Sequence, residues 1–79
     1  MMTTLTITRL DDETAEIRNE RDVSAVVRVW ADGSREVRSG ARWLLEAARK
    51  DLGKTYVVTG LVRAMESGKA IVTRCNVEG

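Results

Sequence analysis

Apolar and polar positions alternate from Thr4 to Arg9, with Leu5 and Ile7 on one side and threonines on the other, which predicts a half-buried strand. Asp11-Asp12-Glu13 follows as a turn, and Ala15 and Ile17 mark a second short strand. A capped helix from Asp12 to Arg21 is the competing assignment, but it would carry almost no apolar stripe, so the hairpin is preferred. From Val23 to Ala31 the apolar residues Val23, Ala25, Val27, Val29 and Ala31 recur at every second position, the clearest strand in the chain. Asp32-Gly33 is a hairpin signal. A two-residue turn would set Glu36 opposite Val29, whereas a three-residue loop, Asp32-Gly33-Ser34, sets Val37 there; register follows burial, so the longer loop is expected.

The period then changes. Ala41, Leu44, Leu45, Ala48 and Leu52 recur at helical spacing, predicting a helix from about Gly40 to Leu52 with Ser39 as its cap. Arg42–Glu46 and Glu46–Lys50 are placed to pair on its exposed side, Arg49 and Lys50 suit the negative end of its dipole, and Gly53 is a stop signal. Thr55–Met65 and Lys69–Val77 are expected to form a last hairpin about Ser67-Gly68, with Glu66 opposite Lys69. One face of it would hold Val58, Gly60, Val62, Ala64, Ile71, Thr73, Cys75 and Val77, small and apolar as a helix-covered face should be. The expected architecture is a single α+β domain over residues 1–79, a largely antiparallel sheet with one helix packed on one face.

Length narrows the function. A chain of 79 residues buries only about 60–65% of its unfolded surface and gains much from a partner or a staple. One Cys (Cys75) and no His exclude an internal disulfide, a multi-thiolate zinc site and a His-based metal site, so no metal or cofactor is expected. Without His there is no Ser-His or Cys-His dyad, and neither a phosphate loop nor a GxGxxG run occurs; an enzyme is not expected. No apolar run approaches the ~20 residues that cross a bilayer, and the first residues lack the regions of a signal peptide, so a cytoplasmic protein is expected. Cys75 alternates with core positions and reads as a buried, inert thiol, the competing reading being an intermolecular disulfide.

The net charge of +1 is unevenly spread. Residues 11–22 hold Asp11, Asp12, Glu13, Glu16, Glu20 and Asp22 against two arginines, a net −4, and the remainder carries +5. This acidic segment is the first candidate partner-binding site, because it can imitate a row of phosphates; an ordinary solvated hairpin is the plain alternative. The second candidate is the uncovered sheet face. In the expected register it gathers Val26, Arg28, Trp30, Leu61, Arg63, Met65, Val72 and Arg74, types enriched at interfaces, and predicts a homodimer or partner face. A register slipped by one, or a barrel closed by the first strands, would bury it instead. Arginine beside an aromatic residue also suits RNA, but three aromatic residues and a near-neutral charge weigh against direct nucleic-acid binding.

In size and element order the whole chain resembles the small phage-encoded anti-CRISPR proteins, the stretches Ala31-Asp32-Gly33-Ser34-Arg35-Glu36-Val37-Arg38-Ser39-Gly40-Ala41-Arg42-Trp43-Leu44-Leu45 and Tyr56-Val57-Val58-Thr59-Gly60 carrying the likeness. That resemblance implies a non-enzymatic inhibitor in the host cytoplasm that docks on a type I CRISPR surveillance complex and blocks target DNA. The group has no diagnostic motif, so no functional residue carries over. A small nucleic-acid-binding regulator and a structural accessory protein are the other classes left open.

Overall fold

The computed structural model describes residues 2–32 and 34–76. In chain order the elements are β1 (Met2–Arg9), β2 (Thr14–Arg18), β3 (Ser24–Val29), β4 (Arg35–Gly40), α1 (Arg42–Leu52), α2 (Lys54–Ser67) and β5 (Ile71–Asn76). The strands form one antiparallel sheet in the order β4-β3-β2-β1-β5. The α+β class is as expected, but the sheet is covered by two helices instead of one.

The alternating segments fold as their pattern dictates. Leu5, Ile7, Ala15, Ile17, Ala25 and Val27 line the covered face and are buried. The acidic stretch does form the turn of a β1–β2 hairpin. In the β2–β3 turn, Asn19 accepts the backbone N–H groups of Arg21 and Val23 on its Oδ1, and Asp22 takes the left-handed conformation at φ 61°.

The β3–β4 hairpin keeps the expected face but not the expected register. The Trp30 N–H donates to the Ser34 carbonyl, so Arg35 stands opposite Val29, and Val37 opposite Val27. The slip is two residues, which leaves Val37 on the covered side. Of the Asp32-Gly33 turn signal, Gly33 lies outside the described residues, while Asp32 Oδ1 accepts the Ser34 N–H at 2.8 Å. Ser39 does not cap a helix. It belongs to β4, α1 begins after Ala41, and the cap carries no side-chain hydrogen bond.

The largest correction concerns Thr55–Met65, which is not a strand but most of α2. Its buried residues, Val57, Gly60, Leu61 and Ala64, fall at i, i+3, i+4 and i+7, one stripe of a helix. Gly60 lets that stripe lie close to the sheet, since a Cβ there would meet the Ile7 side chain at 3.3 Å. Gly68 ends the helix in the left-handed conformation, its N–H donating to the Ala64 carbonyl, so no hairpin forms at Ser67-Gly68 and Glu66 has no strand partner in Lys69. β5 pairs instead with β1, Cys75 opposite Thr3 and Val72 opposite Thr6; Val77 lies outside the described residues.

The core joins these strands to Leu44, Leu45 and Ala48 of α1 and Val57, Leu61 and Ala64 of α2. The accessible surface, 4758 Å² for 8.8 kDa, is close to the ~4,800 Å² of a folded monomer of that mass. No helix among the described residues is long and apolar enough to cross a membrane.

Two substitutions test this arrangement. Gly40 sits at φ +86° with the Ser24 carbonyl oxygen 2.4 Å from where a Cβ would stand. Gly40→Ala is therefore expected to cost about 1–3 kcal/mol, and chemical denaturation measures it. Leu61→Ala is expected to cost about 2–5 kcal/mol, as for a fully buried helix residue; a loss under about 0.5 kcal/mol, the value for an exposed position, would contradict the helical assignment.

Candidate functional site

Strand alternation places Thr4, Thr6 and Thr8 of β1, Thr14, Glu16 and Arg18 of β2, Val26 and Arg28 of β3, and Val72 and Arg74 of β5 on the sheet face opposite the core. It is a threonine-rich surface crossed by charges, as a sheet face turned to solvent should be. Four of the eight residues expected on the second face, Val26, Arg28, Val72 and Arg74, are there, with Trp30 at the end of β3. The other three are not, because they lie on a helix. Leu61 is buried in the core, Met65 packs half-buried against it, and Arg63 is exposed on α2 beside Leu52 and Tyr56. The apolar cluster expected to drive self-association is thereby divided: Val26 and Val72 are three strands apart, about 14 Å.

Arginines organise the acidic segment. Arg18 grips Glu16 with Nε at 2.9 Å and Nη2 at 3.2 Å, and reaches Asp22 with Nη1 at 3.2 Å. These contacts raise the Arg18 pKa, the hydrogen bond with Glu16 contributing most. Arg28 Nη1 lies 2.8 Å from Glu13 Oε2, and its guanidinium stands 4.7 Å from the centroid of the Trp30 ring. Glu16 on β2, and Glu13 and Asp22 in the turns at its two ends, are thus held by arginines of the uncovered face.

The remaining acids do other work. Asp12 pairs with Arg9 at 2.6 Å in the first turn. Asp11 accepts the backbone N–H groups of Glu13 and Thr14, both at 2.8 Å, which holds its carboxyl below the usual carboxylate range, the Glu13 bond first. Glu20 points back to Thr3, whose hydroxyl accepts its backbone N–H at 3.4 Å. So the six carboxylates are not one row. Only Glu16 stands on the sheet face; the other five belong to the turns, with Glu13 and Asp22 reaching Arg28 and Arg18 from there.

On the helix side, two grooves flank α1. Arg35, Val37, Arg42, Leu45, Glu46 and Arg49 line one of about 350 Å³ between α1 and β4, and Trp43, Ala47, Lys50, Asp51 and Asn76 line one of about 400 Å³ toward β5. A third groove of about 620 Å³ runs beside α2, with Ile7, Leu52, Tyr56, Thr59 and Ile71 on its walls. The Tyr56 hydroxyl and Thr73 Oγ1 are hydrogen-bonded at 3.2 Å. Trp43 is exposed to 41% on the α1 surface. Neither the arginine groove nor the tyrosine groove was visible as a site in the sequence, because each needs residues brought together by the helical form of Lys54–Ser67 or by the β3–β4 register.

Among the described residues no three His, Cys, Asp or Glu side chains converge as metal ligands would. No protein-family model, no curated protein and no solved structure matches the chain.

Cys75 is fully buried on β5, and its thiol is pushed up to about 11 by burial, with Asp51 adding to the shift. A thiol whose pKa rises on folding contributes stability below its unfolded value near 8.5 and loses it as pH climbs through about 11. Stability should therefore fall between about pH 8.5 and 11 in the native chain, and fall less in Cys75→Ala. A thiol reagent at pH 8 should react only as fast as the chain unfolds; prompt labelling would show that the thiol is accessible.

Proposed function

We propose that this chain is a non-enzymatic binding protein that docks its uncovered sheet face on a basic protein surface. The observation that carries the reading is that Glu16 on β2, and Glu13 and Asp22 in the turns at its two ends, are each held by Arg18 or Arg28 of the uncovered face. Carboxylates fixed in this way lose little freedom when a partner's Lys or Arg arrives, and the partner can share them with the resident arginines. Trp30, stacked on Arg28 and 37% exposed, offers an aromatic anchor beside them.

A surface built to hold nucleic acid is basic, and is the natural complement of such a face. Together with the resemblance in size and single-domain character to phage anti-CRISPR proteins, whose expected terminal hairpin is here a helix, this favours an inhibitor of a type I CRISPR surveillance complex that keeps target DNA from its channel. The divided apolar cluster favours a heterologous partner over a second copy of this chain.

The test combines Glu13→Lys, Glu16→Lys and Asp22→Asn, the last because Asn tolerates the left-handed backbone that Asp22 adopts. Circular dichroism and chemical denaturation check that the variant keeps its fold. Association with an immobilised type I complex should slow by about ten-fold or more, and wild-type association should weaken as salt rises. Normal association by this variant, with loss in Arg28→Glu or Arg74→Glu, would give the contact to the arginines and overturn the acidic reading.

A further inference from the structure

The ion pairs among the described residues, Arg9–Asp12, Arg18–Glu16, Arg18–Asp22 and Arg28–Glu13, all involve the first three strands and their turns. The cations of β4 and α1 have none. Arg35, Arg42 and Arg49 converge on the groove between the β4 edge and α1, and Glu46, on the same groove, lies within ion-pair distance of none of them. Arg35 is the most constrained. It stands on the covered side of β4 opposite Val29, its Nε is buried with no hydrogen-bond partner, and burial together with the charge of Arg49 lowers its pKa. Arg35 and Arg49 repel one another across the groove, neither forming an ion pair with Glu46, and an anion seated between them would reverse the sign of that interaction.

The track continues past the groove, where Arg49, Lys50 and Lys54 line a second hollow with Glu46. Arg42 and Arg49 are seven residues apart on α1, about 10.5 Å along its axis. A flexible chain carrying a negative charge at every unit can meet both, and guanidinium forks match phosphate oxygens two at a time. The floor is closed, Leu45 being 4% exposed, so no pocket is open for the alternate side chains by which an extended peptide is selected. The groove holds no aromatic ring on which a base would stack, so contact through the backbone is what it offers.

We propose that the groove between β4 and α1 binds the phosphate backbone of single-stranded nucleic acid, without regard to sequence, through Arg35, Arg42 and Arg49. This surface is separate from the acidic sheet face, so either can fail without the other.

The probe is a fluorescently labelled oligo(dT) or oligo(U) of about 20 nucleotides, longer than one such site needs, titrated with the purified full chain and followed by anisotropy. With three phosphates neutralised, the logarithm of affinity should fall with the logarithm of salt at a slope of about −2. Arg42→Gln and Arg49→Gln should each reduce the steepness by about 0.7, and the pair combined with Arg35→Gln should abolish binding. Circular dichroism monitors the fold, and Arg21→Gln and Lys69→Gln, both exposed and away from the groove, should bind as wild type. No binding at low salt, or a slope retained in the triple variant, overturns the proposal. Displacement by inorganic phosphate at equal phosphate concentration would reduce the groove to a single-anion site and also overturn it. So would tighter binding of polyglutamate with the same arginine dependence, which assigns the groove to an acidic protein.

Discussion

The fold turns on the seating of β5. Strands β1 to β4 follow one another across the sheet, but β5 pairs with β1 at the far edge, so the chain must travel from one side of the sheet to the other after Gly40. Four strand spacings are about 19 Å. Helices α1, of 11 residues, and α2, of 14, are about 16 and 21 Å long, and the pair makes the crossing while covering the apolar face beneath it. Burial of Leu5, Ile7, Ile17 and Val27 therefore depends on a helix in the second half of the chain. A terminal hairpin over the same residues would leave the strip between β1 and β3 half covered.

Much of this was legible in the pattern of apolar residues. The strands of Leu5/Ile7, Ala15/Ile17 and Ala25/Val27 have an unbroken period of two, and one-sided burial fixes their faces whatever the turn does. That is why Val37 kept its face when the β3–β4 register moved by two residues. Segment 55–65 carries both periods at once. Val58, Gly60, Val62 and Ala64 alternate as in a strand, while Val57, Gly60, Leu61 and Ala64 recur as in a helix, and the β-branched Thr55, Val57, Val58, Thr59 and Val62 tilt local preference toward the strand. Packing decided otherwise. The helical stripe puts Leu61 and Val57 into the core and the threonines outside.

The same ambiguity governed the candidate sites. The segment 11–22 was recognisable because charge and turn residues are local properties. How its carboxylates are held was not, since this depends on which arginine Glu13, Glu16 and Asp22 meet and on which backbone groups Asp11 and Glu20 meet. The proposed second face lost Leu61, Arg63 and Met65 once their segment became a helix. The arginine groove needs β4, in its observed register, beside α1, a juxtaposition no local pattern encodes.

The sheet's edges bear on how any partner can approach. An exposed edge strand invites pairing by another chain, and β4 carries three features that oppose it: Arg35 directed to the covered side, a bulge between the pairs of Val26 and Val27, and a Gly40 end that turns away at φ +86°. β5, at the other edge, is tied to α1 where Asp51 accepts the Asn76 backbone N–H at 2.9 Å. Strand addition at either edge would have to undo these contacts. Binding by side chains undoes nothing, whether by the arginine-held carboxylates of β2 and its flanking turns or by the unpaired guanidiniums beside β4. In a domain this small, where stability is a narrow margin, that difference favours surfaces over edges. It also gives Arg35 two compatible duties: its inward charge discourages a strand, and the same charge, left without a carboxylate, is available to an anion.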